Sequence, residues 1–184
     1  MRAPMELLVH TIESPIGRLV LVSDGTRLCA LDFGRAGRAL TARLRRRLGS
    51  VALRPARDRA GITARLRAYL AGDLTAIDAV PVVAAGTPFQ ARVWAALRAI
   101  PGGTTRSYAD RAAARDLGAG ARAIVAANGA NPIPIVIPCH RLVGADGALT
   151  GYGGGLARKR WLLNHEGAIA APPRDARRAG AAPP

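Results

Sequence analysis

Apolar and polar residues alternate along residues 6–33, a pattern that predicts half-buried β-strands. Turn-forming residues interrupt the alternation at Ser14-Pro15-Ile16-Gly17 and at Asp24-Gly25. The segments between these turns predict three short antiparallel strands, at 6–12, 18–23 and 28–33. Leucines at helical spacing then predict two helices, at about 37–48 and 60–71. We therefore expect a small α/β domain at the amino terminus, with an antiparallel sheet and helices.

Helical spacing dominates the second half of the chain. Thr87-Pro88-Phe89-Gln90 combines an N-cap residue, a proline at the first helical position and a glutamine three residues after the cap. Ser107 predicts the N-cap of a helix at about 108–116, and another helix is expected at about 120–127. Two short helices joined by a glycine-containing turn are typical of a helix-turn-helix, although ordinary helical pairs share this pattern. A last helix is expected at 156–164.

Two segments lack periodicity and mark the boundaries of the domains. Residues 74–86 are apolar and contain Pro81, which is typical of a linker between domains. The segment from residue 168 onward is rich in alanine, proline and arginine, so we expect a mobile tail. The chain is therefore divided into an α/β domain with its linker at 1–82, a mostly helical domain at 83–167 and a tail at 168–184.

The chain is strongly basic, with a formal net charge of +15 from 27 Lys and Arg against 12 Asp and Glu. Arginine carries nearly all of the positive charge, since Lys159 is the only lysine. A domain this basic attracts polyanions, of which nucleic acid is the commonest, although a basic surface without a partner has the same composition. Arg43, Arg45, Arg46 and Arg47 could contact phosphate or could form the solvated face of a helix.

The chain has two cysteines, Cys29 and Cys139, which is too few for a disulfide framework. The cysteines and histidines do not have the spacing of a structural zinc site, so we expect no metal. Neither a signal peptide nor an apolar run long enough to span a bilayer occurs, so we expect a cytoplasmic protein in which Cys139 stays free. Cys29 belongs to an alternating strand and is expected in the core.

Cys139 and His140 are the pair best suited to chemistry, because a thiol adjoins one of only three histidines. They follow an apolar run at 133–137 that predicts a buried strand. In a continuing strand the two side chains would point to opposite faces, whereas Pro138 predicts a bend that could turn both toward one pocket. A base acting directly or through water would form the thiolate, and Glu166 could orient that base. The alternative is a buried cysteine beside a surface histidine.

Pro138-Cys139-His140-Arg141, followed by Leu142-Val143-Gly144, resembles the active-site motif of the methylated-DNA–protein-cysteine alkyltransferases, which repair O6-alkylguanine in DNA. Other segments similar to that family occur in order along the chain, at 11–17, 86–90, 106–109, 121–123, 131–132, 152–156 and 165–167. The resemblance covers nearly everything but the tail. It implies a ribonuclease-H-like α/β domain followed by a mostly helical, winged-helix-like domain with a helix-turn-helix.

The resemblance also implies a reaction. Members of this family transfer the alkyl group of O6-alkylguanine, and of O4-alkylthymine, irreversibly to a cysteine of the protein, so that each molecule reacts once. No cofactor is needed. The partner is double-stranded DNA, from which the damaged nucleotide is flipped out through the minor groove, because an O6 substituent is buried in a stacked duplex. The protein is expected to act as a monomer.

By this resemblance, five residues of the chain carry the chemistry. Cys139 accepts the alkyl group, His140 activates it through a bound water and Glu166 holds the imidazole. Asn131 helps to shape the pocket. Tyr108 crowds the 3′ phosphate to promote flipping and donates a proton to the departing guanine.

The same resemblance implies residues for DNA contact and for the alkyl pocket. Arg122, on the recognition helix, would enter the duplex and fill the gap that the flipped guanine leaves. Further DNA contacts are expected from Tyr108, Ser107 and Arg141. The alkyl pocket is expected to be lined by Pro134, Leu142, Tyr152 and Gly153. Leu142 stands where the family usually has valine, which would change the tolerance for bulky adducts.

Three other functions have to be weighed against alkyl transfer. Non-catalytic relatives of this family bind alkylated DNA, but they lack the cysteine that Cys139 provides. A helix-turn-helix regulator could use Cys139 as a redox or alkylation sensor, and it would bind a specific DNA sequence, as a dimer. A thiol hydrolase would need an oxyanion site and a substrate cleft, for which the sequence has no identifiable residues.

Overall fold

The computed structural model describes residues 3–58, 60–108, 110, 117 and 120–169. In the first half of the chain the elements are β1 (Met5–Ile12), β2 (Leu19–Ser23), β3 (Leu28–Phe33), α1 (Arg38–Leu48), β4 (Val51–Pro55) and α2 (Ile62–Leu70). In the second half they are α3 (Pro88–Arg98), β5 (Arg106–Ser107), α4 (Ala121–Gly129), a 3₁₀ helix (Cys139–Arg141), β6 (Leu142–Val143) and α5 (Leu156–His165).

The first half is built on a four-stranded mixed sheet with the strand order β3-β2-β1-β4. The three predicted strands are confirmed and pair antiparallel, β1 with β2 and β2 with β3. The expectation of a purely antiparallel sheet is wrong, because β4 pairs parallel to β1, with Met5 opposite Val51. A parallel pair needs a crossover connection, which α1 provides here. The five residues of β4 were too few to stand out in the sequence.

Both faces of the sheet are covered, which explains why all five residues of β2 are buried. On one face, α1 packs Leu40 and Leu44 against a small cluster that includes Cys29, so the expectation that Cys29 is a core residue is confirmed. On the other face, a larger cluster joins the sheet to α2 and continues into the second half of the chain. The two halves therefore share one hydrophobic core.

The start of α3 follows the sequence prediction closely. The Thr87 hydroxyl accepts a hydrogen bond from the Gln90 N–H (3.2 Å), and the Gln90 side chain accepts one from the Thr87 N–H (3.0 Å). This reciprocal pair satisfies two N–H groups that a helix start otherwise leaves free. Trp94 of α3 is buried and donates its indole N–H to the Ala127 carbonyl of α4 (2.9 Å). The helices that carry the second half are thus joined by apolar packing and one buried hydrogen bond.

The predicted helix-turn-helix is described only in part. The Ser107 hydroxyl accepts a hydrogen bond from the Asp110 N–H, and the Asp110 carboxylate accepts one from the Ser107 N–H, as expected of an N-cap. Most of the predicted helix at 108–116 lies outside the described residues. The next predicted helix is present as α4, and the last as α5. The predicted tail also lies outside the described part of the chain from residue 170 onward.

The two halves are held together by polar contacts as well as by the shared core. Arg47 of α1 donates to the carbonyl of Ala85 (2.6 Å) and to that of Ala130, directly before the active-site turn described below. The segment at 74–86, predicted as a linker, packs against β3, where Leu28 and Val82 form a parallel bridge. Within the described ranges, no helix is both long and apolar enough to cross a membrane.

Candidate active site

Asn131 organises the turn that leads into the active-site motif. Its side-chain oxygen accepts a hydrogen bond from the Ile133 N–H (2.9 Å), and its amide group donates to the Ile137 carbonyl (2.8 Å). The run at 133–137 is buried as expected, but the prediction of a strand is wrong: these residues form turns, and Ile135 has φ 74°. A β-branched residue rarely adopts this left-handed conformation, so the surrounding contacts must hold it. The backbone therefore arrives at Cys139 in a fixed, compact turn.

Cys139 is the first residue of the 3₁₀ helix and is 5% exposed. Burial raises the pKa of its thiol to about 11. The Asn131 side chain, the charge of Lys159 and two backbone N–H groups act in the opposite direction, but burial outweighs them. In the free protein the thiol therefore stays protonated at neutral pH. A base is needed to release the nucleophilic thiolate.

His140 is fully buried and lies 3.0 Å from Glu166, measured from Nε2 to Oε1. A carboxylate next to Nε2 assigns the ring proton to that nitrogen, which leaves Nδ1 as a hydrogen-bond acceptor. Nδ1 is buried and has no hydrogen-bond partner among the described residues. Burial lowers the pKa of His140, so the imidazole is neutral and able to take a proton. The bend predicted at Pro138 is present, because a 3₁₀ helix replaces the continuing strand.

Glu166 receives hydrogen bonds from three side chains. Arg141 donates from Nη2 to Oε1 (2.8 Å) and from Nε to Oε2 (2.9 Å), and the Tyr69 hydroxyl donates to Oε1 (2.7 Å). Burial tends to raise the pKa of this carboxyl, but the hydrogen bonds from His140 and Arg141 and the positive charge of Arg141 prevail and lower it well below its usual range. Glu166 is therefore a carboxylate at any pH near neutral, held in one orientation.

Arg141 does not occupy the place that the resemblance implied for it. It was expected to contact DNA, but its side chain is 1% exposed and is directed to Glu166 and to the Ile100 carbonyl. The expectation that Arg141 contacts DNA is therefore corrected: its side chain binds groups inside the protein. The reason is electrostatic: a buried carboxylate needs a buried cation, and the planar guanidinium satisfies both of its oxygens at once.

Tyr108 and Asn128 form a second polar group near the thiol. The Asn128 amide donates to the Tyr108 hydroxyl (3.2 Å), and Asn128 lines the same cavity as Cys139. Burial raises the pKa of Tyr108, with a further contribution from the nearby Cys139. The phenol therefore keeps its proton and can donate it. Asn128 was not identified from the sequence, where it reads as the end of a helix.

A cavity of about 160 Å³ opens onto Cys139. Its lining includes Asn131 and two residues expected in the alkyl pocket, Pro134 and Gly153. It also includes residues of the first half that the sequence did not point to, among them Leu31, Phe33, Arg43 and Arg47. A pocket this small suits an alkyl group on a base edge better than a peptide.

The other two residues expected in the alkyl pocket, Leu142 and Tyr152, are not among those that line the cavity. Leu142 is fully buried in the core. The ring of Tyr152 meets the ring of His140 edge-on, with the centroids 6.5 Å apart, and its hydroxyl has no hydrogen-bond partner within the described ranges. Neither residue lines the cavity, and Tyr152 packs against the imidazole instead.

Lys159 is a site residue that sequence reasoning missed. It is fully buried, and its ammonium donates to the carbonyls of Leu142 (2.5 Å) and Thr150 (2.6 Å). Burial lowers its pKa to about 8, and a thiolate at the nearby Cys139 would act in the opposite direction. The composition could have pointed to Lys159, because a single lysine in a chain otherwise rich in arginine indicates a position where a guanidinium does not fit.

Of the residues expected to contact DNA, Arg122 lies exposed in the first turn of α4, as a wedge would have to. Ser107 is half-buried and its hydroxyl serves as the N-cap described above. The structure therefore brings Cys139, His140, Glu166 and Asn131 together in one site. It leaves Arg122 on the surface.

Comparisons with known proteins agree with this geometry. Residues 7–84 match the family model described as the ribonuclease-like domain of 6-O-methylguanine DNA methyltransferase, and residues 88–168 match the model of its DNA-binding domain. The methylated-DNA–protein-cysteine methyltransferase of Salmonella typhimurium is 44% identical over 167 residues, which are 89% of this chain and 97% of the relative. That of Mycobacterium tuberculosis is 43% identical over 169 residues, 86% of this chain and 93% of the relative.

A solved structure extends the similarity to three dimensions. The crystal structure of Mycobacterium tuberculosis OGT in complex with DNA superposes with a TM-score of 0.72 at 43% identity, covering 89% of this chain and 93% of that one. The match includes both halves of the chain, with the active-site motif in the second half. The chain therefore belongs to the methylated-DNA–protein-cysteine methyltransferase family.

Proposed function

We propose that this protein repairs DNA directly, by transferring the alkyl group of O6-alkylguanine to Sγ of Cys139. The observation that carries the proposal is the buried thiol of Cys139, which faces a small cavity and is followed in the chain by His140. Nε2 of that imidazole is held by the Glu166 carboxylate. A nucleophile, a base and a group that orients the base are the elements of an activated thiol. Its relatives, named methylated-DNA–protein-cysteine methyltransferases, support the same reaction.

The reaction is a displacement at the alkyl carbon. The proton of the thiol passes to Nδ1 of His140, through a water molecule, and the imidazolium formed is stabilised by Glu166. Sγ then forms a bond to the alkyl carbon while the bond between that carbon and O6 breaks. Guanine leaves with the electron pair of that bond and takes up one proton from the Tyr108 phenol. The proton held on His140 then restores the phenol. Atoms and charge balance, and the thioether has no leaving group, so each molecule reacts once.

The damaged nucleotide would have to leave the duplex to reach Cys139. Flipping costs a few kilocalories per mole, and a side chain inserted into the vacated space offsets part of that cost. Arg122 is suited to this role because it is exposed at the start of α4. We propose that α4 is the recognition helix of a helix-turn-helix in a winged-helix-like domain and enters the minor groove. The reported complex of the Mycobacterium tuberculosis protein with DNA supports a DNA partner.

A regulator that uses Cys139 only as a sensor fits the site less well. A sensor thiol is accessible and has a lowered pKa, whereas Cys139 is buried and its pKa is raised. A protein that only binds alkylated bases would have no use for the buried His140–Glu166 pair. Both alternatives predict binding to DNA without transfer of an alkyl group from O6-alkylguanine to the protein.

One experiment separates these functions. The protein is incubated with a duplex oligonucleotide that carries one O6-methylguanine, and the restored guanine and the masses of the cysteine peptides are measured. We expect one methyl group on Cys139 and at most one turnover per molecule. C139S should bind the duplex and transfer nothing, while C29S is the matched control in which transfer persists. Binding without transfer by the unaltered protein would refute the proposal, and a duplex with O4-methylthymine tests the wider substrate range.

A further inference from the structure

The carboxylate that orients His140 is also bound by the first half of the chain. Tyr69 lies in the last turn of α2, is fully buried, and donates its hydroxyl to Oε1 of Glu166 over 2.7 Å. The two residues are 97 positions apart in the sequence. All the residues to which the chemistry has been assigned belong to the second half, so this hydrogen bond links the first half directly to the carboxylate that orients His140.

Tyr69 is fixed at both ends. Its carbonyl accepts a hydrogen bond from Nε2 of His165 (2.7 Å), and its ring meets the His165 ring edge-on at 5.3 Å. Trp161 stacks on that imidazole, with the ring centroids 4.8 Å apart. The backbone of Tyr69 therefore binds His165 while its side chain binds the next residue, Glu166. Two adjacent contacts define both the position and the direction of the phenol.

The phenol acts on the same oxygen as the imidazole. Oε1 of Glu166 accepts from His140, from Nη2 of Arg141 and from Tyr69, whereas the closest donor to Oε2 is Nε of Arg141. Burial and the neighbouring carboxylate raise the pKa of Tyr69 far above its usual range, so it always donates. Without this donor, Arg141 alone would set the plane of the carboxylate, and the lone pair that faces His140 would be less well defined.

We propose that Tyr69 is a positioning residue for alkyl transfer, which holds the Glu166 carboxylate so that it orients the His140 imidazole. The inference rests on the proposed function. It gives the first half of the chain a part in orienting the catalytic base, in addition to lining the cavity. The expected consequence of losing the hydroxyl is a rate of alkyl transfer that falls roughly tenfold, a fraction of what general-base catalysis contributes, while the affinity for DNA stays unchanged.

The test is Tyr69→Phe, which removes one oxygen and keeps the ring. Single-turnover rates on an O6-methylguanine duplex are measured across pH, together with the dissociation constant for the duplex and the thermal stability. The matched control is Ile62→Val, a buried substitution on the same helix that removes one methylene and no polar group. We expect Y69F to lower the rate and to shift the pH at which the rate is half-maximal, and we expect I62V to do neither.

A double-mutant cycle shows whether the hydroxyl acts through Glu166. In a Glu166→Gln background, Y69F should cause no further loss of rate beyond about twofold. Full additivity of the two losses, or a Y69F rate and pH profile equal to those of I62V, would overturn the role of Tyr69. If Y69F does not fold, His165→Phe replaces it, since this variant keeps the stacked rings and the phenol but removes the hydrogen bond to the Tyr69 backbone. A smaller loss of rate is then expected, again absent in the E166Q background.

The two proposals fail in different ways. If the unaltered protein transfers no methyl group to Cys139, the proposed function is wrong and the role of Tyr69 is wrong with it. If the unaltered protein and Y69F transfer the group at the same rate, only the role of Tyr69 is lost.

Discussion

Arg141 and Glu166 form a buried ion pair in which Nε and Nη2 of the guanidinium each bind one oxygen of the carboxylate, at 2.9 and 2.8 Å. The fourth residue of the Pro-Cys-His-Arg motif thus holds the group that orients the third, His140. Within one turn of 3₁₀ helix, Cys139 lines the cavity while the side chains of His140 and Arg141 are buried in the interior. The chemistry and the stability of this site therefore depend on the same ion pair.

Glu166→Gln should destabilise the protein in a pH-dependent manner. Breaking a buried pair leaves an uncompensated charge on Arg141, at a cost of about 3 kcal/mol or more at neutral pH. The folded pKa of Glu166 is lowered, so its contribution is present above the ordinary value of 4.5 and is lost as pH falls through that value toward the folded pKa. The difference in the free energy of unfolding between the unaltered protein and E166Q should therefore shrink below about pH 4.5. Urea unfolding at a series of pH values measures it, and a difference independent of pH would contradict the assignment.

Lys159→Arg should be poorly tolerated although it conserves charge. The lysine is fully buried and its ammonium fits between two carbonyls, so a guanidinium would overpack the site by about 1–3 kcal/mol. The neighbouring Arg160 is exposed, so Arg160→Lys is the reciprocal control and should change stability by less than about 0.5 kcal/mol. Chemical denaturation of both variants provides the comparison. Equal effects of the two exchanges on stability would show that the site of Lys159 does not exclude a guanidinium for steric reasons.

Gly154→Ala should disturb the pocket from its aromatic side. A Cβ at this position would lie 2.5 Å from a ring carbon of Phe33 and 2.7 Å from one of Tyr152, so at least one ring must move. We expect a loss of about 1–3 kcal/mol and slower transfer, because Tyr152 also packs against His140. At the adjacent Gly153 a Cβ would meet nothing within 4 Å, and G153A should leave the thermal unfolding temperature nearly unchanged. If both variants unfold at the same temperature, the packing argument is incorrect.

Arg122→Ala should affect duplex substrates far more than the free base. A wedge acts only while a nucleotide leaves the stack, and O6-methylguanine offered as a free base needs no flipping. The transfer rate on duplex divided by that on free base should therefore fall by about tenfold or more. This corresponds to an increase of about 1.4 kcal/mol or more in the activation free energy on duplex alone. Arg160→Ala, which also removes an exposed arginine, serves as the charge-matched control. An equal loss on both substrates would exclude the wedge role.

Local features of the fold could be predicted because their causes are local. The alternation of β1 to β3 and the Thr87–Gln90 capping box depend on residues within a few positions of one another, and both are present. The strand β4 was missed, because its five residues were too few to stand out. The strand predicted at 133–137 was wrong, because an apolar run has no periodicity that distinguishes a buried strand from a buried turn. At 133–137, two hydrogen bonds of the Asn131 side chain hold the backbone in a turn instead of a strand.

The site divides in the same way. The sequence by itself determined the reacting pair, Cys139 and His140, and the carboxylate Glu166, since few residues of these types occur in the chain and the motif relates them to known chemistry. Only the tertiary structure decided that Arg141 is turned inward and that Tyr69 reaches Glu166 from the other half. The physical reason is that a buried carboxylate has to be compensated by whatever donors packing brings to it, and packing joins residues that no sequence spacing relates.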